Sequence, residues 1–367
     1  MFLRKQILGP RNIQISIPSG CDHDCVFCIT DIHGKGAPHH REVMSFEDIC
    51  LIIDSALEMC TLNIHFVSNG EPLLYPRIQE LIDYTWAKSR GKCEIKIVTN
   101  GTSLKKNEKL NPKYLKSRNV VLWLSLHCGE FSVWTKIHRP KFNPEKKFED
   151  LKEFLKDFNK ISPGSLTLHN VMCSLNYEHT ESILEFALET GSKDVSFGQL
   201  SKFDELQITT AEEKVLLEKL NSLKSEFARH KIRTNIHHFV IARSFLKKEV
   251  NETLEDSSSE NTKTTSVIKT NFYDENDCYI SWLFSPIDDS GNVRSCGPGR
   301  FLGTIKENSY KEIIQKGFPG FILESTQISK TKKNVKDCQC ESCPHVPMNS
   351  IANHYVKILT SKFTHHP

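Results

Sequence analysis

The sequence predicts an α/β chain built as an open parallel barrel of six βα units, a partial (β/α)6 barrel smaller than the closed eight-fold form. Two observations carry this. Short apolar strands alternate with helical stretches from residue 12 to residue 200. Strands separated by helices pair in parallel with right-handed crossovers.

Taken in order, "NIQISIP" (12–18) sets Ile13, Ile15 and Ile17 on one face and Gln14 and Ser16 on the other. "NIHFVSN" (63–69) is the second strand, followed by helical spacing over 75–89. "CEIKIVTN" (93–100) is the third, with a short helical stretch near 106–117. "NVVLWLSLH" (119–127) alternates most clearly: Val121, Trp123, Ser125 and His127 oppose Leu122, Leu124 and Leu126, so the polar face should line the barrel interior. The charged helix 145–160 follows, then the strand 165–174, the helix 180–191 and the strand 194–200. In such architectures ligands gather at the C-terminal ends of the strands.

Composition bounds the rest. The chain has 367 residues, 38% hydrophobic and 25% charged, with a formal charge of +3. That describes a globular protein with length for a sizeable core, and the charge is too small to argue for nucleic acid or an anionic membrane as partner. "MFLRKQILGPRNIQ" lacks the apolar core of a secretory signal, and no apolar run reaches membrane-spanning length. The expected address is therefore cytoplasmic, where thiols stay reduced. Thirteen cysteines there point to metal work for several, and the odd count argues against a closed disulfide framework.

Directly after the first strand, "GCDHDCVFC" places Cys21, Cys25 and Cys28 in a C-x3-C-x2-C spacing. A structural zinc site wants four ligands, and His23 is awkwardly placed between the first two thiols. A cubic cluster held by three thiolates leaves one iron open to a ligand. With Phe27 before Cys28, the stretch resembles the C-x3-C-x-aromatic-C signature of the radical SAM superfamily, at the strand end where that superfamily carries its cluster.

The resemblance implies a [4Fe–4S] cluster with S-adenosylmethionine (SAM) bound at the open iron, and it extends to four more places. Gly70-Glu71-Pro72 after strand two looks like the GGEP motif that contacts the methionine end of SAM, with Asn69 in place of the first glycine. Asn100-Gly101 looks like the superfamily's TNG stretch. Ser125 and Asn176 resemble polar SAM contacts. His127 reads either as a satisfied buried histidine or, with His169, as a proton acceptor.

A second cysteine set lies beyond the polar segment 251–266, which reads as a linker or surface loop. Cys278 and Cys296 bracket two strands joined by Asp289-Ser290-Gly291-Asn292, so a hairpin brings them together. Cys340-x2-Cys343 supplies two more thiols, and Cys338 is a surplus that competes with Cys340. On ligand chemistry alone these four make a structural zinc site or a fully ligated Fe–S cluster. The layout resembles the twitch/SPASM-like module of enzymes of the 2-deoxy-scyllo-inosamine dehydrogenase type, which implies a small C-terminal α+β domain and a second, auxiliary [4Fe–4S] cluster.

The domain reading is thus a barrel over 1–235, a connecting segment over 236–277, an auxiliary domain over 278–345, and a C-terminal helix and tail over 346–367. Most of Cys50, Cys60, Cys93, Cys128 and Cys173 read as buried small hydrophobes, and the basic run 330–336 as a solvated loop. The expected reaction is a radical SAM dehydrogenation, fed by a flavodoxin- or ferredoxin-type electron donor. The twenty residues before Cys21 leave no room for a peptide-recognition domain, so the expected substrate is a small sugar- or aminocyclitol-like molecule. A peptide substrate, and a non-catalytic zinc or Fe–S binding protein, are the alternatives.

Overall fold

The computed structural model describes residues 9–28, 43–200, 203–244, 246–249, 267–270, 272–274, 276–297 and 299–331, with Asn349 and Ala352. Six strands follow the expected order: β1 (Asn12–Ile17), β2 (Asn63–Ser68), β3 (Glu94–Thr99), β4 (Val120–Ser125), β5 (Leu166–Met172) and β6 (Asp194–Gln199). They pair in parallel in sequence order, with β7 (Arg233–Thr234) on the far edge.

The crossover helices are α1 (Phe46–Glu58), α2 (Ile78–Ser89), α3 (Pro112–Ser117), α4 (Phe131–His138), α5 (Pro144–Ile161) and α6 (Thr180–Thr190), and α7 (Thr210–Arg229) leads to β7. Local chemistry fixes their ends. Ser45 and Thr209 form capping boxes with Asp48 and Glu212, and Asn111 caps α3 ahead of Pro112. Gly191 stops α6 in the left-handed conformation, with φ 72°. The expected helix at 106–117 is shortened to α3, because Pro112 starts a fresh helix after a turn at 108–110.

The alternation in the strands sorts the two faces of the sheet. Ile13, Ile15, Ile17, Ile64, Phe66, Ile95, Ile97, Leu122, Leu124, Leu166 and Leu168 are fully buried against the helices. The residues between them, among them Gln14, His65, Lys96, Trp123, Ser125 and His169, are half-buried and face the lumen. Phe148, Leu151, Phe154, Leu155 and Phe158 form the apolar stripe by which α5, despite its charge, joins the core.

After α8 (Ile236–Ser244), β8 (Leu246–Glu249) and β9 (Val267–Thr270) form a separate two-stranded antiparallel sheet; the proposed linker 251–266 lies outside the described residues. The expected hairpin is present as β10 (Phe284–Ile287) and β11 (Asn292–Arg294), preceded by a helical turn, α9 (Ile280–Leu283), and followed by β12 (Phe301–Thr304) and α10 (Tyr310–Ser325). It does not stand apart from the barrel sheet. β10 pairs in parallel with β1, giving one ten-stranded sheet in the order β12-β11-β10-β1-β2-β3-β4-β5-β6-β7. A strand on the β1 edge satisfies backbone groups that an open barrel would leave unpaired. No helix among the described residues is long and apolar enough to cross a membrane.

Leu124→Ala empties a fully buried position and should cost about 3 kcal/mol, whereas Leu51→Ala, on the exposed side of α1, should stay within about 0.5 kcal/mol. Urea denaturation of the two variants checks this; equal losses would mean that the strand-four leucines do not carry the core.

Candidate functional site

The three-cysteine loop leaves the C-terminal end of β1 and rests on the turn after β2. Gly70 is required at that contact, since a Cβ there would lie 2.2 Å from the Gly20 carbonyl oxygen and 2.5 Å from that of Ser19. With hydrogen in place of a side chain, the backbones lock together. The Glu71 N–H donates to Gly20 O at 2.8 Å, and Ser19 Oγ donates to Glu71 O at 2.7 Å. Ser68 Oγ lies 2.7 Å from Ser19 Oγ and accepts from the Gly70 N–H at 2.8 Å.

Glu71 itself points inward and is 2% exposed. Its carboxylate accepts from the Leu73 N–H at 3.0 Å, Thr99 Oγ at 2.6 Å and the Asn100 N–H at 2.7 Å, tying the β2 turn to the end of β3. Burial raises its pKa to about 7, against the pull of those donors. Asn69, the departure from the double-glycine pattern, donates from Nδ2 to Asp289 Oδ2 at 2.6 Å, and so reaches the turn of the C-terminal hairpin.

A buried polar knot holds the other side of the loop. Lys147, 6% exposed, projects from α5 and places Nζ 2.5 Å from Asp22 Oδ2. Asp22 also accepts from Asn100 Nδ2 at 3.0 Å and Thr102 Oγ at 3.2 Å. Burial pushes the Asp22 carboxyl up, but the Lys147 hydrogen bond and nearby positive charge outweigh it, so the carboxylate is held below its ordinary range. Asn100 thus acts through both backbone and side chain, its Oδ1 accepting from the Thr102 N–H at 2.9 Å.

His23 and His138 lie behind the cysteines. Their Nδ1 atoms are 3.3 Å apart, His138 Nδ1 is 3.8 Å from Cys25 Sγ, and His138 Nε2 donates to Leu126 O at 3.0 Å. One ligand atom each from His23, Cys25 and His138 falls within 4.8 Å of the others; the sequence suggested His23 alone as an awkward ligand, and His138 not at all. Both rings pack on Trp134, at 5.7 and 4.9 Å between centroids.

Phe27 sits with Val26 against Cys128, Val133 and Ile137, and its ring meets the His127 ring edge-on at 4.9 Å. His127 lies two residues past β4, with φ 63°. The expected strand to residue 127 ends early because this left-handed turn lets His127 Nδ1 accept from the Val171 N–H at 3.0 Å. Asn176, fully buried, spends its side chain on the same turn. Nδ2 donates to His127 O at 2.7 Å and Val171 O at 2.9 Å, and Oδ1 accepts from the Cys173 N–H at 2.8 Å. Ser125 faces the lumen in register with His169, whose Nδ1 is buried without a hydrogen-bond partner among the described residues.

Of the second cysteine set, Cys278 and Cys296 are buried in one small cluster with Phe272, Tyr273, Ile280, Phe321 and Ile328. Asn349 Nδ2 lies 3.6 Å from Cys278 Sγ. Cys338, Cys340 and Cys343 lie outside the described residues. Cys50, Cys93, Cys128 and Cys173 are buried as expected, while Cys60 is exposed, at a left-handed position with φ 64°.

The donor set fits a cationic cluster. Burial and then the neighbouring Cys21 and Cys28 push the Cys25 thiol well above its ordinary pKa, and burial raises that of Cys21. Cys21 and Cys25 therefore make poor thiolates alone and good ones around bound metal, whose charge offsets both penalties.

A parallel partial barrel with a three-thiol loop at the end of its first strand defines the class: residues 15–187 match the Radical SAM superfamily, and the chain carries a domain of that superfamily. Such a domain implies a [4Fe–4S] cluster and SAM as cofactors. The GTP 3',8-cyclase of Thermodesulfovibrio yellowstonii is 32% identical over 126 residues, 34% of this chain and 38% of that protein. A probable GTP 3',8-cyclase of Sulfurisphaera tokodaii is 24% identical over 238 residues, 63% of this chain and 71% of that protein. Among solved structures, SuiB of Streptococcus suis bound to S-adenosylmethionine superposes with a TM-score of 0.59 at 17% identity, covering 92% of this chain and 70% of that one. anSMEcpe with bound AdoMet and a Cp18Cys peptide superposes with a TM-score of 0.61 at 16% identity, covering 93% and 88%. These two likenesses concern the fold.

Sequence reasoning missed Asp22, Thr102 and Lys147. Lys147 was hidden in a run of charges, although it adjoins Phe148 at the edge of the apolar stripe of α5.

Gly70→Ala should separate the cysteine loop from its support; the expected result is a loss above about 2 kcal/mol and a fall in iron retained after anaerobic reconstitution. Unchanged stability and iron content would show that the contact is dispensable. A second outcome concerns pH. Burial holds His138 and His169 at about 4, His23 at about 3, and His127 well below 6.5. A depressed histidine adds stability that is present above the unfolded pKa and lost as pH falls towards the folded one, at about 1.4 kcal/mol per unit per group. Glu71, raised to about 7, works the opposite way, its contribution fading as pH rises from 4.5 through 7. The histidines outnumber it, so the urea midpoint of the apoprotein should drop between pH 6.5 and 4; a flat profile would contradict neutral buried histidines.

Proposed function

We propose that the chain is a radical SAM enzyme that takes a hydrogen atom from a small molecule bound in the barrel lumen, and that the net reaction is a dehydrogenation. The observation that carries this is the three-thiol loop locked onto the Gly70–Glu71 turn at the C-terminal ends of the strands. When bound on Cys21, Cys25 and Cys28 and given one electron by a flavodoxin- or ferredoxin-type donor, the cluster and SAM together supply methionine and a 5'-deoxyadenosyl radical.

The chain's own residues hold that chemistry in place. Gly70, Glu71, Ser19 and Asp22 fix the loop, and Asn69 and Pro72 shape its seat. The Ser125 hydroxyl faces the lumen, on the side where SAM would lie. Asn100 holds Asp22 and Glu71, while Asn176 holds His127, so both act by positioning. Phe27 and the Cys128–Ile137 cluster keep water from one side of the loop.

The dehydrogenation rests on the C-terminal thiols. Cys278 and Cys296 share one buried cluster, as ligands of a second [4Fe–4S] group completed by Cys340 and Cys343 would. A carbinol becomes a ketone when it gives a hydrogen atom to the 5'-deoxyadenosyl radical, a proton to a base and an electron, for which a second cluster would be the acceptor. His169 is the candidate proton acceptor, since its Nδ1 is buried without a partner among the described residues. His127 has committed Nδ1 to Val171. A second reading, cyclisation of a nucleotide, is favoured by the likeness to GTP 3',8-cyclases over 63% of the chain.

Anaerobic reconstitution should give roughly eight iron atoms per chain, and roughly four when Cys278 and Cys296 are replaced by alanine. Reduction with SAM should release 5'-deoxyadenosine in the wild type and none in the Cys21→Ala, Cys25→Ala, Cys28→Ala triple variant. A chain that takes up zinc in place of iron, or makes no 5'-deoxyadenosine, sinks the proposal.

A further inference from the structure

The lumen below the cysteine loop holds a set of polar groups on the first three strands. Gln14, His65 and Lys96 stand side by side on one rung of β1, β2 and β3. Lys96 Nζ lies 4.7 Å over the ring of Trp123, one rung nearer the C-terminal ends. The Trp123 ring lies 5.1 Å from that of His169, His169 lies 6.4 Å from His127, and His127 lies 4.9 Å from Phe27 beside Cys28. A continuous wall of rings therefore runs from the cysteine loop down to the Lys96 ammonium.

That ammonium is half-buried, and among the described residues no carboxylate oxygen lies within 4.0 Å of it. The acids that act on it most are Glu94, beneath it on β3, and Asp194, at the start of β6. Asp194 is engaged by Arg233 at 3.0 Å. Burial lowers the pKa of Lys96, and burial together with the charge of Lys96 lowers that of His65 to about 3. A neutral imidazole beside a desolvated cation donates an N–H without competing for the anion. His169 borders the same space, and Gly198 on β6 makes way for it, since a Cβ there would meet His169 Cε1 at 2.8 Å and Nε2 at 3.1 Å.

We propose that the lumen binds an anionic group of the substrate, a phosphate or a carboxylate, with Lys96 as its ion-pair partner and His65 and His169 as flanking donors. A charge-assisted contact adds to the Trp123 ring in offsetting the desolvation of Lys96. Because the wall of rings leads back to Cys28, a molecule anchored at Lys96 presents its other end to the cysteine loop. This inference deepens the proposed function and rests on it for the reaction, though not for the binding.

The test is calorimetric titration of the reconstituted, SAM-loaded protein with inorganic pyrophosphate, GTP and citrate, so that phosphate and carboxylate chemistry are read separately. At least one should bind the wild type. Lys96→Met should weaken it about tenfold or more, equivalent to about 1.4 kcal/mol, while Lys96→Arg keeps most of the affinity. Gly198→Ala, which displaces His169, should weaken it as well. Iron content and thermal midpoint identify any variant that fails to fold. Wild-type protein that binds none of the three, or a folded Lys96→Met that binds as the wild type does, overturns the anion site. Absence of 5'-deoxyadenosine from the wild type overturns the reaction and leaves the binding result standing.

Discussion

The site depends on one close approach, that of the Ser19–Gly20 backbone to Gly70, where any side chain would collide. The loop with the three thiols is short and mostly polar, and its apolar residues, Val26 and Phe27, pack on one side against Cys128, Val133 and Ile137. What holds its other side is the backbone of another strand end, and that contact forms only where a glycine admits it. Once the chains touch, Glu71 is carried inward, where Leu73, Thr99 and Asn100 satisfy its carboxylate. Strands one, two and three are thereby fastened together at the end where chemistry is expected.

A second brace comes from α5. Breaking a buried pair such as Lys147–Asp22 leaves one charge unpaired, which costs far more than the pair contributes when intact. Its value is positional: it ties the residue after Cys21 to a helix whose other face is in the core. The loop is thus gripped by backbone contacts on one flank and by a buried charge on the other. Neither of these two grips uses a cysteine side chain.

How much of this the sequence announced follows from the range of each signal. Periodicity of two is local, so Leu122, Leu124 and Leu126 announced the buried face of β4, and Gln14, Lys96 and Trp123 could be assigned to the lumen by the same count. The cysteine spacing is equally local. What could not be read is anything that needs a partner far along the chain: Asp22 with Lys147, Asn69 with Asp289, and His127 turned back onto Val171. Strand four was expected to run to His127 because alternation continues in the letters, and a left-handed turn leaves no mark on hydrophobic period. The C-terminal hairpin was legible as a hairpin, but its pairing with β1 was not, because edge pairing carries no sequence spacing.

That pairing bears on the one departure from the double-glycine pattern. The Asp289 turn that Asn69 reaches also accepts, through its carbonyl, from the Met44 N–H at 2.8 Å, just ahead of α1. A glycine at 69 would keep the turn and lose the link. Position 69 does not adopt a positive φ, so asparagine fits the turn without strain and adds a donor that fastens the β2 motif to the hairpin. The hairpin holds Cys278 before it and Cys296 after it, so the same hydrogen bond joins the seat of the first thiol set to the segment carrying the second. Cys21, Cys25 and Cys28 on one side and Cys278 and Cys296 on the other thus flank strands of one continuous sheet.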